Sequence, residues 1–445
     1  MSAEKLPEGW VKTQLENIVD ILDSMRVPVN NSERQSRIEG KKENELYPYF
    51  GATGEVGKID DYIFDEELVA LGEDGVPFFD GHKNKAYMLY GKTWVNNHAH
   101  VIRAISGLSH NKYLCHYLNQ FDYHDYVNGG TRLKLTQANM RKLPVSLAPI
   151  AEQKVIVEKL DTLLAQVDST KARLEQLPQI LKRFRQAVLA AAVSGKFTNT
   201  PPINYVNISQ IAQVIGGLTK NSKRNNFEFK VPYLRVANVY ENELRLEDIS
   251  EIGVQQKELN RVSLEYEDLL IVEGNGSLDQ IGRAALWRDE IKECVHQNHL
   301  IKVRANREKI SPRFLLFYLM SAQGKAEIIN RATSGAGLYT LSISKISSIM
   351  VPLYSLSEQH EIVRRVEQLF AYADAIEKQV NNALARVNNL TQSILAKAFR
   401  GELTAQWRAE NPDLISGENS AAALLEKIKA ERAASGGKKA SRKKS

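Results

Sequence analysis

Residues 152–198 read EQKVIVEKLDTLLAQVDSTKARLEQLPQILKRFRQAVLAAAVSGKFT, and residues 358–404 repeat this stretch without gaps at an offset of 206 positions. The two copies share 13 of 47 residues, which indicates a duplicated structural element. Apolar residues in both copies recur with alternating spacings of four and three over more than four heptads. A narrow apolar stripe of this length favours a coiled coil over a globular helix, which buries a broader face.

We expect these two stripes to pack against each other as antiparallel helices, because the first helix ends where the intervening segment begins and the second begins where that segment ends. Gly195 and Gly401 are positioned as helix stops. Thr170 interrupts the first stripe, and Pro178 should kink or restart the first helix because proline has no backbone N–H. The alternative is two amphipathic helices that each pack on their own globular unit. The expected interface residues are Ile156, Leu160, Leu163, Val167, Leu174, Leu181, Ile362, Val366, Leu369, Val380, Val387 and Ile394.

The segments that precede the two helices are also related. Residues 67–75 (ELVALGEDG) align with residues 268–276 (DLLIVEGNG) at an offset of 201, and short β-type runs broken by glycine fill both segments. At the same offset, Asn97, His98 and Arg103 match Asn298, His299 and Arg304. The sequence therefore predicts an α+β fold with two glycine-rich, mainly β units in a pseudo-twofold repeat, separated by an antiparallel coiled coil of two long helices.

The predicted boundaries follow from this repeat. The first mainly β unit covers residues 1–148 and the second covers residues 199–354, with helical regions at 149–198 and 355–404. The remaining residues, 405–445, form a tail that we expect to be basic and disordered at its end.

Composition narrows the functional classes. The chain has 445 residues with 43% hydrophobic and 25% charged residues, which are ordinary globular values. The net charge is +6, but five of the basic residues lie within the last eight, so any DNA-binding site must come from local arrangement. No apolar run is long enough for a membrane helix and the first ten residues lack a signal-peptide core, so we expect a cytoplasmic protein. Two cysteines, Cys115 and Cys294, cannot form a disulfide framework.

Four stretches of the first unit resemble a known family. They are residues 51–57 (GATGEVG), 71–75 (LGEDG), 94–100 (WVNNHAH) and 143–153 (LPVSLAPIAEQ), the last leading into the heptad helix. Together with the repeat, they resemble the specificity subunit of Type I restriction–modification systems, and the helical regions are similar to those of its A family. The resemblance covers almost the whole chain, although the mainly β units correspond to the family's variable part.

This resemblance implies a function. Each mainly β unit would be a target recognition domain that reads one half of an asymmetric bipartite target in double-stranded DNA, and the helices would set the spacer between the halves. Two methyltransferase subunits and two restriction or translocase subunits would assemble on the chain to methylate adenine or cleave DNA. Those partners would carry S-adenosylmethionine, ATP and Mg²⁺, so this chain would hold no cofactor.

The sequence also offers few catalytic motifs. Residues 91–93 (GKT) lack the glycine that a phosphate-binding loop requires five residues before its Gly-Lys pair, and residues 199–202 (NTPP) differ in order from the loop of an amino-methyltransferase. Glu-x-Lys at 228–230 and 290–292 is a chance-level pattern. His98 and His100 could share one face of a strand, but only His98 has a counterpart in the second unit. We therefore expect neither a catalytic residue nor a metal site.

Sequence-specific binding needs side chains that match donor and acceptor patterns at the base edges, together with cations for phosphates. Polar residues beside glycines supply such groups in both units. The candidates are Lys41, Lys42, Asn44, Thr53, Glu55, Asp74, Lys83, Asn84, Arg132 and Lys134 in the first unit, and Lys220, Lys223, Arg224, Asn238, Asn275, Ser277, Gln280, Arg283 and Tyr339 in the second. The residues that recur in both units, such as His98 and Arg103, fit scaffold or phosphate contacts better than base contacts.

Two other functions remain open at this point. A two-domain coiled-coil adaptor could bind a protein or glycan through the same glycine-rich loops, and it would show no salt-dependent binding to duplex DNA. An enzyme that acts on nucleic acid alone would show turnover with the isolated chain.

Overall fold

The structure is a computed structural model that describes residues 6–130, 132–335 and 337–441. The chain forms two compact units. Unit 1 contains residues up to 175 and from 382 onward, and unit 2 contains residues 176–381. Each unit combines one mainly β segment with part of both long helices.

Three sheets are formed by the described residues of unit 1. Its elements are β1 (Val11–Gln14), β2 (Val19–Ile21), α1 (Asn31–Ile38), β3 (Tyr47–Gly51), β4 (Gly54–Ile59), β5 (Phe64–Asp65), β6 (Leu68–Gly72), β7 (Ala86–Leu89), β8 (Lys92–Val95), β9 (Ala99–Ala104), α2 (Asn111–Gln120), α3 (Gln137–Arg141), β10 (Pro144–Leu147) and the start of α4 (Ile150–Val193). β1 pairs with β10, and two four-stranded sheets have the orders β2-β9-β6-β7 and β4-β3-β8-β5. The first and last strands of the unit, β1 and β10, therefore lie side by side.

Unit 2 repeats this plan with more strands. Its elements are β11 (Asn204–Asn207), α5 (Ile208–Ile211), β12 (Ala212–Gly216), β13 (Lys230–Leu234), β14 (Val239–Tyr240), β15 (Glu243–Leu244), β16 (Ser250–Gly253), α6 (Gln256–Val262), β17 (Leu269–Val272), β18 (Gly274–Asn275), β19 (Ala284–Leu286), β20 (Val295–His296), β21 (Leu300–Ala305), α7 (Pro312–Met320), α8 (Ala322–Arg331), β22 (Thr333–Gly335), β23 (Leu338–Thr340), α9 (Ile343–Ser347), β24 (Met350–Leu353) and the start of α10 (Leu356–Phe399). β11 pairs with β24, and the central sheet has the order β12-β21-β17-β19.

The strand register corrects one part of the sequence alignment. In unit 1, Gly72 lies opposite Ala99, and in unit 2 Val272 lies opposite Leu300. Since β9 and β21 correspond at an offset of 201, β6 and β17 correspond at an offset of 200. Glu73 is therefore equivalent to Glu273, whereas the sequence alignment places it on Gly274.

The long helices run antiparallel, because unit 1 contains the beginning of α4 with the end of α10, and unit 2 contains the reverse. Ile156, Leu160, Val167, Leu181, Ile362, Val366, Val380 and Ile394 are buried, and Leu163, Leu174, Leu369 and Val387 are half-buried. The helices also pack against the core of each mainly β segment. The alternative, in which each helix packs on its own globular unit, is therefore correct in part. Leu390, which continues the second stripe, is 45% exposed.

The expectation of a helix restart at Pro178 is wrong. α4 continues from Ile150 to Val193 as one helix, and Pro178 is exposed on it. One missing backbone hydrogen bond is tolerated here because the neighbouring turns are held by tertiary packing at Val167 and Leu181. The helix stops are confirmed, since Gly195 and Gly401 have φ values of 76° and 75°, in the left-handed region that favours glycine.

Each long helix begins with a glutamate that accepts a hydrogen bond from a threonine just beyond the end of the other helix. In unit 1, Thr404 donates to Glu152 at 2.6 Å. In unit 2, Thr200 donates to Glu358 at 2.5 Å. We call these two contacts the Thr–Glu contacts. The two glutamates are equivalent in the repeat, but the threonines are not, because Thr404 corresponds to Thr198 and Thr200 lies two residues beyond it.

The tail after α10 is mostly helical, with α11 (Ala405–Glu410) and α12 (Ala421–Ser441). Ile415, Ala421 and Leu425 are buried in unit 1, and the Ala421 amide donates to Gly9 O at 2.9 Å. The expected disordered end falls on residues 438–444, but α12 extends through Ser441, while Arg442, Lys443 and Lys444 lie outside the described residues. Within the described part of the chain, no helix has both the length and the apolar character needed to cross a membrane.

Lys302 is an unusual core residue of unit 2. It lies on β21 at the position that Val101 occupies in unit 1, it is fully buried, and its Nζ donates to Arg261 O at 2.9 Å and Ser263 O at 2.8 Å. Burial lowers the pKa of Lys302 to about 8, although the Asp268 carboxylate 4.0 Å away opposes this shift. The charged form is therefore disfavoured in the folded state relative to the unfolded chain.

We expect the stability of unit 2 to rise with pH in the window above pH 8. The folded state loses the Lys302 proton near pH 8, whereas an unfolded lysine keeps its proton to about pH 10.4. Because the unfolded state binds more protons in this window, the free energy of unfolding should increase by about 1–3 kcal/mol. Urea unfolding at several pH values measures this, and Lys302→Met should remove the increase. A wild-type slope equal to that of the variant would contradict the prediction.

Candidate nucleic-acid interface

In unit 1, a turn after β6 and a glycine-containing segment before α3 lie side by side. The Gly75 amide donates to Leu133 O at 3.1 Å, and the Leu135 amide donates to Glu73 O at 2.7 Å. Asp74 and Lys134 also form a β-bridge. We call Glu73, Asp74, Arg132 and Lys134 the unit 1 cluster. The structure thus brings together three of the predicted DNA-binding residues, Asp74, Arg132 and Lys134.

The unit 1 cluster has an inner acidic layer and an outer basic layer. The Glu73 and Asp74 side chains are 14% and 18% exposed, while those of Lys134 and Arg132 are 52% and 65% exposed. Asp74 Oδ1 lies 3.1 Å from Arg132 Nη2, and Glu73 Oε1 lies 3.2 Å from Lys134 Nζ. The carboxylates therefore hold two cations at the surface, where a polyanion could reach them.

His98 and Arg26 fix the two carboxylates. His98 Nδ1 lies 2.8 Å from Asp74 Oδ1, and Arg26 Nη1 lies 2.9 Å from Glu73 Oε2. The Glu73 amide also donates to His98 O at 2.8 Å. These contacts come from residues far apart in the sequence, so the position of the cluster depends on the folded sheet.

The buried side chain of His100 contacts the same region from the interior of unit 1. His100 Nδ1 lies 2.7 Å from Asp23 Oδ2, and His100 Nε2 lies 2.8 Å from Leu135 O. Burial raises the pKa of Asp23, but hydrogen bonds from His100, Gln137 and the Val101 amide outweigh it and lower the pKa below its usual value. His100 therefore has a structural role. Among the described residues, no group of three or more His, Cys, Asp or Glu is arranged to hold a metal ion.

Unit 2 has an equivalent cluster with different chemistry. Glu273 lies 3.4 Å from His299, its amide donates to His299 O at 2.9 Å, and the Leu341 amide donates to Glu273 O at 2.7 Å. The two backbone hydrogen bonds repeat those of the Glu73 amide with His98 O and of the Leu135 amide with Glu73 O. The side-chain contact is not repeated, because the His98 ring contacts Asp74. Burial raises the pKa of Glu273, and His299 opposes the shift. The outer element is the three-stranded sheet β18-β23-β22, in which Asn275 lies opposite Tyr339. The described residues of β22 and β23 carry no charged side chain.

Most of the other predicted DNA-binding residues lie on the surface. Lys41, Lys42, Asn44, Thr53, Glu55, Lys83, Asn84, Lys220, Lys223, Ser277 and Gln280 are exposed, and Asn275 and Tyr339 are half-buried. They are spread over several loops and do not form a single cluster with the residues described above.

Three predicted residues have structural roles instead. Asn238 is 3% exposed, and its side chain bonds the Arg235 amide and the carbonyl groups of Arg245 and Asp248, so it is not available to a ligand. Arg224 forms two hydrogen bonds with Glu258 in the interior of a loop. Arg283 is half-buried over the Tyr240 ring, with its guanidinium carbon 5.0 Å from the ring centroid.

The recurring arginines are part of the scaffold. Arg103 contacts Glu66 and Asp20, and Arg304 contacts Glu265 and Asp268. The residues predicted from the sequence did not include Arg26, which contacts Glu73, or Glu273, which contacts His299. The recurrence of His98 and His299 near an acidic residue is the signal that could have found them.

The chain matches the family of Type I restriction modification DNA specificity domains over residues 7–179 and 202–386, which together cover most of its length. The chain belongs to this family of specificity subunits. It is 42% identical to the Type I restriction enzyme EcoKI specificity subunit of Escherichia coli K12, with both chains covered completely. It is 49% identical to the StySPI specificity subunit of Salmonella potsdam over 75% of this chain and 74% of that one.

Solved structures of lower sequence identity share the fold of this specificity subunit. A chain from a study of complex assembly and conformational transition of the type I R-M system is 18% identical with a TM-score of 0.64, covering 90% of this chain and 100% of the other. The HsdS subunit from Thermoanaerobacter tengcongensis is 18% identical with a TM-score of 0.57, covering 90% and 99%. The family match and the full-length similarity to the EcoKI subunit confirm the resemblance seen in the sequence of this specificity subunit.

Proposed function

We propose that each mainly β unit binds one half of an asymmetric bipartite DNA target through its cluster and the adjacent exposed loops. The observation that supports this proposal is that the two units share backbone contacts in their clusters but carry different side chains at the surface of those clusters. The Glu73 and Glu273 amides make equivalent hydrogen bonds to His98 O and His299 O, whereas Arg132 and Lys134 have uncharged counterparts on β22 and β23. A shared scaffold with different surface groups suits two readers of different sequences.

The exposed cations support DNA as the ligand. Arg132 and Lys134 in unit 1, and Lys220 and Lys223 in unit 2, lie at the surface of loops. Lysine and arginine contacts to phosphates release counterions, so DNA affinity should fall steeply with increasing salt concentration. This property separates the proposal from the two-domain adaptor, which would bind a protein or glycan and show no salt-dependent binding to duplex DNA.

We propose that the long helices set the spacer between the two half-sites. α4 and α10 each have 44 residues without interruption, and each contributes residues to both units. A continuous helix has a fixed rise of 1.5 Å per residue, so it is suited to act as a spacer.

We also propose that catalysis resides in partner subunits that assemble on this chain in the cytoplasm. The expected assembly contains two methyltransferase subunits, which use S-adenosylmethionine to methylate adenine, and two restriction subunits, which use ATP and Mg²⁺. One relative of the same fold comes from a study of complex assembly of a type I R-M system, which supports this view.

Exchange of residues 1–145 for the equivalent unit of another family member tests the proposal. We expect one half-site to change completely and the other to stay the same, because the unit 1 cluster, from Glu73 to Lys134, lies wholly within the exchanged residues and the cluster of unit 2 lies outside them. Genome-wide mapping of methylated adenines in a host carrying the exchanged chain and its methyltransferase measures this. The unexchanged chain is the control, and a change in both half-sites or in neither would contradict the proposal.

A further inference from the structure

We propose that Arg132 reads a guanine in the half-site of unit 1, and that Asp74 is the residue that positions Arg132 for this contact. The inference rests on the proposed function. It assigns a base class and a positioning residue to one surface of one unit.

The geometry of Arg132 suits contact with a base edge. Its side chain is 65% exposed, and its ion pair with Asp74 engages one terminal nitrogen, Nη2. Guanine presents two acceptors, O6 and N7, in the major groove, and an arginine fork can donate to both at once. An arginine held by one nitrogen retains further N–H groups for such a bidentate contact.

Asp74 is itself held in place. The same oxygen, Oδ1, lies 2.8 Å from His98 Nδ1, and the Asp74 backbone forms a bridge with Lys134. The aspartate side chain is only 18% exposed. A fixed carboxylate restricts the rotamers of the long arginine side chain before binding, which reduces the entropy lost when the arginine contacts a base.

The guanidinium fork distinguishes Arg132 from its neighbour Lys134. Its planar donors match two acceptors on one base edge, and the neighbouring carboxylate does not alter that arrangement. Lys134 differs, because its ammonium group is a point charge without a fork and suits a phosphate contact.

The contrast between the two units supports a role in specificity. Asp74 is equivalent to Gly274, so unit 2 has no carboxylate at this position, and its outer strands present Tyr339 beside Asn275. Residues that differ between two units of one fold are the candidates for reading different bases. The backbone hydrogen bonds from Glu73 to His98 O and from Glu273 to His299 O, which both units share, are part of the common support.

The test uses the full chain assembled with its methyltransferase. We expect Arg132→Gln to relax one G·C position in the half-site of unit 1, with about a tenfold to hundredfold loss of discrimination there, and to leave the other half-site unchanged. Arg132→Lys should lose most of the same discrimination although it keeps the charge. Asp74→Asn should keep the preference for guanine but weaken it, since the arginine is less well positioned. Methylation mapping and binding to duplexes with single substitutions measure these effects.

Lys134→Gln is the matched control, because Lys134 is a neighbouring exposed cation held by the other carboxylate of the cluster. We expect it to weaken binding about equally for all sequences and to reduce the salt dependence. Unchanged discrimination in both Arg132 variants would overturn the inference. If the unaltered assembly itself showed no sequence preference or salt-dependent DNA binding, the proposed function would fail first, so the two failures can be told apart.

Discussion

Glu152→Ala is expected to lower the free energy of unfolding of unit 1 by about 3 kcal/mol. Glu152 is fully buried. Its carboxylate accepts hydrogen bonds from Trp10 Nε1 at 2.8 Å, Thr404 Oγ1 at 2.6 Å and Arg408 Nη1 at 2.6 Å. Removal of the carboxylate would leave the Arg408 charge and the indole N–H without their partner in a buried site, which is more costly than the loss of an exposed ion pair.

Glu358→Ala is the matched control for this experiment. Glu358 is equivalent by sequence and accepts hydrogen bonds from Thr200 and Ser355, which lower its pKa, but it lies in a more exposed position. Hydrogen exchange of peptides from β1 and β10 reports on unit 1, and exchange of β11 and β24 reports on unit 2. We expect a large loss of protection in unit 1 for the first variant and a small loss in unit 2 for the second. Equal effects would show that burial of Glu152 is not the cause.

Removal of residues 405–445 is expected to destabilise unit 1 by roughly 5 kcal/mol. The deletion exposes the apolar surface that Ile415 and Leu425 cover. Burial of each of these side chains contributes roughly 1.5–3 kcal/mol to the free energy of unfolding. The deletion also removes Arg408 from Glu152. Chemical unfolding followed by hydrogen exchange in each unit should show the loss in unit 1 while unit 2 keeps its protection.

A shorter deletion separates packing from charge. Removal of residues 435–445 takes away the five basic residues at the end of the chain but keeps Leu425 and Ile415. We expect the stability of unit 1 to remain close to that of the full chain. If the short deletion destabilised unit 1 as much as the long one, the packing of the tail would not be the reason.

Local patterns in the sequence were sufficient to predict the two long helices and the repeated arrangement of the chain. The 4,3 spacing and the terminal glycines predict α4 and α10 almost to their ends, because heptad packing and a positive φ both depend on residues close in the chain. The stability of the interior of α4 around Pro178 could not be predicted this way, since tertiary packing on either side compensates for the missing hydrogen bond.

The clusters show why side-chain contacts were harder to predict. Arg26, Glu73, His98 and Arg132 meet only because β6 and β9 are paired and a distant segment lies beside them. The sequence alignment placed Glu73 on Gly274 because glycine occurs repeatedly in both turns, and a shift of one residue barely changes the score. Asn238 resembled a surface base reader in the sequence, but its amide closes a turn, which only the backbone geometry reveals.

The Thr–Glu contacts have a consequence for how spacer length can change during evolution. Thr404 meets Glu152 and Thr200 meets Glu358, so each end of one helix is registered against the start of the other. Four residues added to α4 alone would lengthen it by about 6 Å with no matching growth in α10. At least one contact would then break or the longer helix would bulge. Viable length variants of this lineage should therefore carry compensating insertions of equal size in both helices.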